Sequence, residues 1–158
     1  MKKISPILLC LPFLVGCKTS YNFHPYEGEK IVLDYCEDGD LIQVDADQLY
    51  EDVITNHKST IYLFGLSSCS ACNNVKNNLK TYATGYHCNL YWIEMRDVLQ
   101  NSESIDKVKK ATVGYYEWGE NDAYPEVYFF LKGDVAFRCG ETDVTTFISN
   151  YVEVDSNH

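Results

Sequence analysis

The chain has 158 residues, and its sequence predicts a single α/β domain with a central mixed sheet and helices on both faces. Three patterns predict this fold class. Apolar runs at 61–64 and 90–93 flank a segment of helical periodicity, and two further runs, 127–131 and 135–138, are separated by a short turn. A strongly amphipathic segment follows them near the end of the chain.

The first part of the domain is predicted from short local signals. Leu41-Ile42-Gln43-Val44 is a short strand candidate, and Asp45, with Gln48 three residues later, approximates a capping box that opens a helix. The core face of that helix is expected to carry Leu49, Val53 and Ile54. A buried strand then follows at 61–64, bounded by Gly65.

A strand, helix, strand unit forms the centre of the prediction. The helix is expected to start near Cys72, and Gly85 is expected to end it. Its apolar positions recur at helical spacing, namely Val75, Leu79, Tyr82 and Ala83. The next strand is the run at 90–93, and a right-handed crossover makes the two strands parallel.

The second half of the domain is predicted to contain a helix, a hairpin and a final helix. The first helix spans about 102–111, and the hairpin turns at Lys132-Gly133-Asp134. The final helix is expected to start near Thr142. Its apolar residues lie at i, i+3, i+4, i+7 and i+8, namely Val144, Phe147, Ile148, Tyr151 and Val152.

Composition excludes several classes of protein. Hydrophobic residues make up 46% and charged residues 23% of the chain, which is typical of a globular domain and argues against disorder. The formal net charge is -10, and no basic cluster is larger than the lysines at 107, 109 and 110. Binding to nucleic acid is therefore excluded as a function class.

Residues 1–17 have the pattern of an export signal. Two lysines precede an apolar run, Ile7–Val15, that is too short to span a bilayer. The run ends in Leu14-Val15-Gly16-Cys17, which resembles the lipobox of bacterial lipoproteins. We therefore expect a lipid on Cys17 and a domain anchored to a bacterial membrane outside the cytoplasm. The alternative is an ordinary cleaved signal with an incidental cysteine.

The remainder of the chain divides into three segments. Residues 18–40 are interpreted as a tether, residues 41–154 as the folded domain and residues 155–158 as a polar tail. Within the tether, Ile31, Leu33 and Tyr35 alternate with other residues, a pattern that also allows a short added strand.

The chemistry is predicted at Cys69-Ser70-Ala71-Cys72, which lies between a buried strand and a helix. Backbone N–H groups and the positive end of the helix dipole favour a thiolate at Cys69, and the spacing keeps Cys72 within disulfide reach. Cys69 is the predicted nucleophile and Cys72 the resolving thiol. Export to a compartment that permits disulfides strengthens this interpretation.

With these residues, the segment 41–154 resembles the thioredoxin-like superfamily. Tyr124-Pro125 stands before the hairpin, where that family has a cis proline facing the dithiol, and Pro125 looks like that proline. The region is also similar to thioredoxin-like proteins described as bacteriocin transport accessory factors in Gram-positive bacteria. The resemblance implies thiol-disulfide exchange on exported proteins or peptides, without a cofactor.

The sequence departs from thioredoxin itself in three places. Thioredoxin has a tryptophan before the first cysteine, Gly-Pro between the two and a buried acid in the preceding strand. This chain has Ser68, Ser70-Ala71 and Leu63 there. Without a carboxylate in that strand, deprotonation of Cys72 needs water or another group.

The connection before Pro125 is rich in aromatic residues, including Tyr115, Tyr116, Trp118 and Tyr124. We interpret Tyr124, Pro125 and Trp118 as candidate substrate-binding residues, because aromatic loops beside a dithiol can grip a peptidic partner. The alternative is that these aromatic side chains only pack the loop onto the domain.

Three further cysteines leave other possibilities open. Cys88 and Cys139 flank strands, as buried small apolar residues do, and Cys36 could form a disulfide with either. A zinc site from Cys69, Cys72 and His87 or Cys88 is a less favoured alternative, because His87-Cys88 lacks the usual ligand spacing.

The sequence thus predicts a membrane-tethered, extracytoplasmic thiol-disulfide oxidoreductase that acts on exported proteins. The alternative is a thioredoxin-like binding or accessory module without redox turnover, because a fold alone does not establish an activity.

Overall fold

A computed structural model describes residues 27–112 and 123–155 of the chain. In these ranges the strands are β1 (Ile31–Leu33), β2 (Leu41–Val44), β3 (Thr60–Gly65), β4 (Leu90–Glu94), β5 (Glu126–Leu131), β6 (Asp134–Cys139) and β7 (Val152–Val154). The α-helices are α1 (Ala46–Tyr50), α2 (Ser70–Tyr86), α3 (Met95–Leu99), α4 (Ser102–Ala111) and α5 (Val144–Tyr151).

The main sheet has five strands in the order β2-β4-β3-β5-β6. Strands β2, β4 and β3 run parallel, while β5 is antiparallel to β3 and to β6. The predicted mixed α/β sheet is confirmed. Since β5 is antiparallel to β3, the start of β5 lies beside the end of β3, so the segment before β5 is brought to the loop that carries the dithiol.

Helices cover both faces of the sheet, as predicted, because its central strands are apolar on both sides. All six residues of β3 are buried. Alternate residues therefore enter two separate cores. One core contains Leu63, residues of α2 and residues of α5, and the other contains Phe64 with residues of α1, α3 and α4.

The helix that follows β2 consists of α1 and a π-helical turn after it. Asp45 caps it by accepting hydrogen bonds from the N–H groups of Asp47 and Gln48, as the capping pattern predicts. It then continues as a π-helical turn over Glu51–Thr55. This segment places Asp52, which is fully buried, within 2.7 Å of the Tyr62 hydroxyl and 2.6 Å of the Lys58 ammonium.

The folded domain begins earlier than predicted. Strand β1 pairs in parallel with β7, and Ile31 and Leu33 are buried in the core. The short added strand is therefore confirmed, and the interpretation of these residues as part of a tether is wrong. Val152, expected at the end of the last helix, belongs to β7 because it pairs with Ile31.

Helix α2 starts close to the predicted position but ends differently. It begins at Ser70, two residues before Cys72, with Cys69 as its N-cap. Gly85 is still helical, and the left-handed residue that follows the helix is His87, at φ 57°. The expectation that Gly85 ends the helix is wrong.

The hairpin of β5 and β6 is confirmed, with Lys132 at φ 52° and Gly133 at φ 87°. Two consecutive positive φ angles match the tight turn that suits the twist of antiparallel strands. Helix α4 is also confirmed at the predicted bounds, whereas the short helix α3, immediately after β4, was not predicted.

Candidate functional site

The dithiol lies at the junction of β3 and α2. Cys69 has extended backbone angles, φ −93° and ψ 120°, and its Sγ accepts a hydrogen bond from the Cys72 N–H at 3.2 Å. The thiol is thus the side-chain cap of a helix of 17 residues. The helix dipole and this N–H both favour negative charge on the Cys69 sulfur.

The two thiols differ in exposure. Cys69 is partly exposed, whereas Cys72 is fully buried. Burial, followed by the contact with Cys69, raises the pKa of the Cys72 thiol to about 11. The outer thiol can therefore meet a partner, while the inner one is accessible only to Cys69.

Gly65, the last residue of β3, leaves space for the buried thiol. A Cβ added at this position would lie 3.2 Å from Cys72 Sγ and 3.3 Å from Cys72 Cβ. A larger residue would displace the inner sulfur, so the glycine allows α2 to approach the end of the strand closely.

Tyr124 and Pro125 lie beside the outer thiol. The Cys69 thiol donates to the Tyr124 carbonyl oxygen at 3.9 Å, and the peptide bond between Tyr124 and Pro125 is cis. The cis peptide bond at Pro125, beside the dithiol, is therefore observed where the resemblance implies it. The predicted substrate-binding role of both residues stays a prediction, and Trp118 and Cys17 lie outside the described residues.

A buried carboxylate that was not predicted supports the dithiol loop. Glu94 is only 8% exposed, and its carboxylate accepts from the N–H of Ser67 at 2.8 Å and from that of Arg96 at 3.2 Å. Burial acts to raise the pKa of Glu94, but these hydrogen bonds hold it below its ordinary value. The Arg96 guanidinium in turn donates at 3.1 Å to the Oγ of Ser68, the residue directly before Cys69.

A lysine on α2 lies over the sheet close to the dithiol. Lys76 Nζ is 3.1 Å from the centroid of the Trp92 ring, a cation–π contact that favours the charged amine. Burial lowers the pKa of Lys76, while the charges of Glu94, Cys72 and Cys69 act in the opposite direction. The sequence offered one signal for this residue, its position one helical turn after Cys72.

No protein-family model and no curated protein sequence matches the chain. Among solved structures, thioredoxin f from spinach chloroplast (long form) matches with a TM-score of 0.51 at 13% identity, over 72% of this chain and 85% of that one. Thioredoxin O2 from Arabidopsis thaliana, in the oxidised state, matches with a TM-score of 0.51 at 9% identity, over 72% and 96%. The chain has the thioredoxin fold.

In this thioredoxin-fold domain Cys36 and Cys88 lie away from the dithiol, whereas Cys139, opposite Val127 at the start of β5, lies at the same end of the sheet as the dithiol. Cys36 N–H donates to the His87 carbonyl at 2.7 Å, and Cys88 forms an antiparallel bridge with Tyr35. These residues are at the far end of α2. Burial raises the pKa of Cys88 to about 11 and that of Cys139 to about 12, so both thiols are poor nucleophiles, as small buried residues are.

The geometry of the thioredoxin-fold domain is incompatible with the zinc alternative. Cys69 caps the start of α2 and His87 caps its end, and a helix of 17 residues is about 25 Å long at 1.5 Å per residue. Zinc ligands lie about 2 Å from the metal. Neither His87 nor Cys88 can therefore share a metal with the dithiol.

Proposed function

We propose that this chain is a membrane-tethered, extracytoplasmic thiol-disulfide oxidoreductase that acts on exported proteins through Cys69 and Cys72. The observation that carries the proposal is the asymmetry of the two thiols. Cys69 is a partly exposed helix cap and Cys72 is buried directly behind it. Exchange enzymes need this division between an attacking and a resolving thiol.

The arrangement supports a two-step exchange. The Cys69 thiolate attacks one sulfur of a client disulfide, a mixed disulfide forms, and the other client sulfur leaves as a thiolate that takes a proton from water. Cys72 then loses its proton and attacks Cys69 Sγ, which releases the second client thiol. The client gains two electrons and the Cys69–Cys72 pair becomes a disulfide. The reverse sequence transfers a disulfide to a reduced client.

The surroundings of Cys69 support the binding of an extended peptide segment. The Tyr124 carbonyl is 3.9 Å from Cys69 Sγ, so the segment immediately before β5 lies beside the dithiol, where an extended client segment would bind. The narrower assignment, an accessory factor of bacteriocin transport, rests on sequence resemblance alone and is part of this proposal.

The exchange mechanism is tested by trapping the mixed disulfide. In a background in which the cysteines other than Cys69 and Cys72 are replaced by alanine, Cys72→Ala should form an adduct with insulin, used as the disulfide probe, that a reductant releases. Peptide mass should place the adduct on Cys69.

The matched variant Cys69→Ala should form no adduct, because the buried Cys72 cannot reach the probe. Equal adduct levels in the two variants, or none in either, would contradict the exchange proposal and favour the alternative of a binding module without redox turnover.

The membrane tether is supported by the sequence of residues 1–17 and is tested separately. In the described part of the chain, no helix has the length and apolarity needed to cross a bilayer. If Cys17 carries the lipid, the wild-type chain should partition into detergent with an added mass on that residue, and Cys17→Ser should remain unprocessed or be released. A soluble, unmodified wild-type chain would refute the tether and leave the exchange chemistry untouched.

A further inference from the structure

Strand β3 lacks a carboxylate beneath the dithiol, and the nearest one in the sheet is Glu94 of β4, which pairs with Gly65. Leu63 in β3 pairs with Trp92 in β4, and both lie on the face that packs against α2. Leucine has no ionisable group, and the tryptophan indole is a donor only. Burial and the neighbouring Cys69 raise the pKa of Cys72, whereas a backbone hydrogen bond at Leu66 and, after it, the charge of Lys76 act to lower it.

Lys76 is placed to supply that effect. Gly65 and Glu94 form the next same-face pair along β3 and β4, and Cys72 Sγ lies over Gly65, 3.2 Å from where its Cβ would be. Lys76 Nζ lies over Trp92. The amine and the inner thiol therefore sit above neighbouring cross-strand pairs, which are about 7 Å apart along a strand.

The Trp92 ring holds the amine in this position as a cation, through the attraction of its π face. The ionisable groups that face Lys76 are Glu94 from β4, Cys69 at the helix cap and Cys72 on α2 itself. One oxygen of Glu94 accepts from the N–H of Ser67 in the dithiol loop, and the other accepts from the N–H of Arg96 in the first turn of α3. Among these groups Glu94 has the largest charge effect on Lys76, followed by Cys72 and then Cys69, so the Lys76 ammonium interacts with both sulfurs as well as with the carboxylate.

We infer that Lys76 is a positioning residue for the resolving step, whose ammonium stabilises the Cys72 thiolate as it forms. The inference rests on the proposed exchange function. In the step, the Cys72 S–H bond breaks and its proton goes to water. The sulfur electron pair then forms a bond to Cys69 Sγ, and the bond from Cys69 to the client breaks. The client thiolate takes a proton from water, and Lys76 is not consumed.

The experiment uses the full chain with the cysteines other than Cys69 and Cys72 replaced by alanine, mixed with excess Ellman's reagent. Each step releases one coloured thiolate. The first release reports attack by Cys69 and depends on reagent concentration, whereas the second reports resolution by Cys72 and does not.

Three substitutions isolate the charge of Lys76. Lys76→Met removes it, and Lys76→Arg retains a cation that can also lie over Trp92. Lys80→Met removes one positive charge from an exposed position on the same helix, where Lys80 Nζ is 3.3 Å from Asp40. Circular dichroism checks that each variant is folded, and Lys76→Gln replaces Lys76→Met if the methionine variant is not.

Lys76→Met should slow the second release about tenfold near neutral pH and shift its pH–rate profile upward by about one unit, which is a tenfold loss of thiolate. Lys76→Arg should stay within about threefold of the parent, because it keeps the charge, and Lys80→Met should match the parent.

Three outcomes would overturn the inference: an unchanged second release in Lys76→Met, equal slowing in Lys80→Met, or equal slowing in Lys76→Arg. These outcomes differ from failure of the exchange function itself. If that function is wrong, the parent chain shows no rapid first release from Cys69, or no second release in any variant.

Discussion

Replacing Glu94 with glutamine tests whether this carboxylate holds the loop that carries Cys69. In the native chain the two carboxylate oxygens accept from the N–H groups of Ser67 and Arg96 at 2.8 and 3.2 Å. A hydrogen bond to a charged group contributes about 1.5–3 kcal/mol, and an amide oxygen can retain one of the two. Glu94→Gln should therefore lower the free energy of unfolding by about 2 kcal/mol at pH 7.

The effect should depend on pH with a defined sign. The pKa of Glu94 in the folded chain lies below its ordinary value of 4.5, so the ionised carboxylate stabilises the fold above that pH. This stabilisation is lost as the pH falls through the folded-state pKa, because the group must then be protonated. The difference between wild type and Glu94→Gln should consequently shrink between about pH 5 and pH 3.

Urea denaturation at a series of pH values measures this difference. Glu103→Gln is the matched control, since it removes one carboxylate whose side chain is 75% exposed and paired with Lys107. It should change the free energy of unfolding by less than about 0.5 kcal/mol. A Glu94→Gln cost that is independent of pH, or no larger than the control, would refute the role assigned to Glu94.

Two further predictions concern the rest of the domain. Asp52→Ala should lower the free energy of unfolding, measured by urea denaturation, by about 3 kcal/mol, because the buried Tyr62 hydroxyl, 2.7 Å from Asp52, loses its acceptor. Tyr62→Phe should lower it by only about 1 kcal/mol. Equal losses in the two variants would contradict the role of Asp52 as the acceptor. Gly39→Ala should destabilise by at least about 2 kcal/mol, because its Cβ would lie 2.5 Å from the backbone N and O of Cys88. A Cβ added at Gly85 has no atom within 4 Å, so Gly85→Ala should stabilise α2 by about 0.5–1 kcal/mol. If Gly85→Ala is destabilised as well, the loss of stability in Gly39→Ala is not explained by its contact with Cys88.

The central elements could be predicted because their signals are local. Apolar runs identify β3 and β4, and helical spacing identifies α2, whatever the rest of the chain does. Strand β7 could not be found in this way. It has three residues, and its state depends on pairing with β1, which lies at the other end of the domain. Helix α3 was missed because its five residues are too few to show a period.

The dithiol was predicted from its spacing and position, but its supporting residues were not. Glu94 acts on the Cys69 loop only because the sheet register places it opposite Gly65. Lys76 reaches the site only because Trp92 lies beneath it. Both relations join segments that are distant in sequence, so no local pattern carries them. The absence of a carboxylate from β3 could be predicted, because position 63 is leucine.

The pairing of β1 with β7 has a consequence for the chain while it is being synthesised. Lys30 and Glu153, an ion pair at this junction, are separated by 123 positions. During synthesis β1, with the buried residues Ile31 and Leu33, emerges before the other described strands, and its partner β7 emerges after them. Contacts of such long separation form late in folding. The nascent chain therefore keeps the apolar side chains of Ile31 and Leu33 without their partner strand until β7 has left the ribosome.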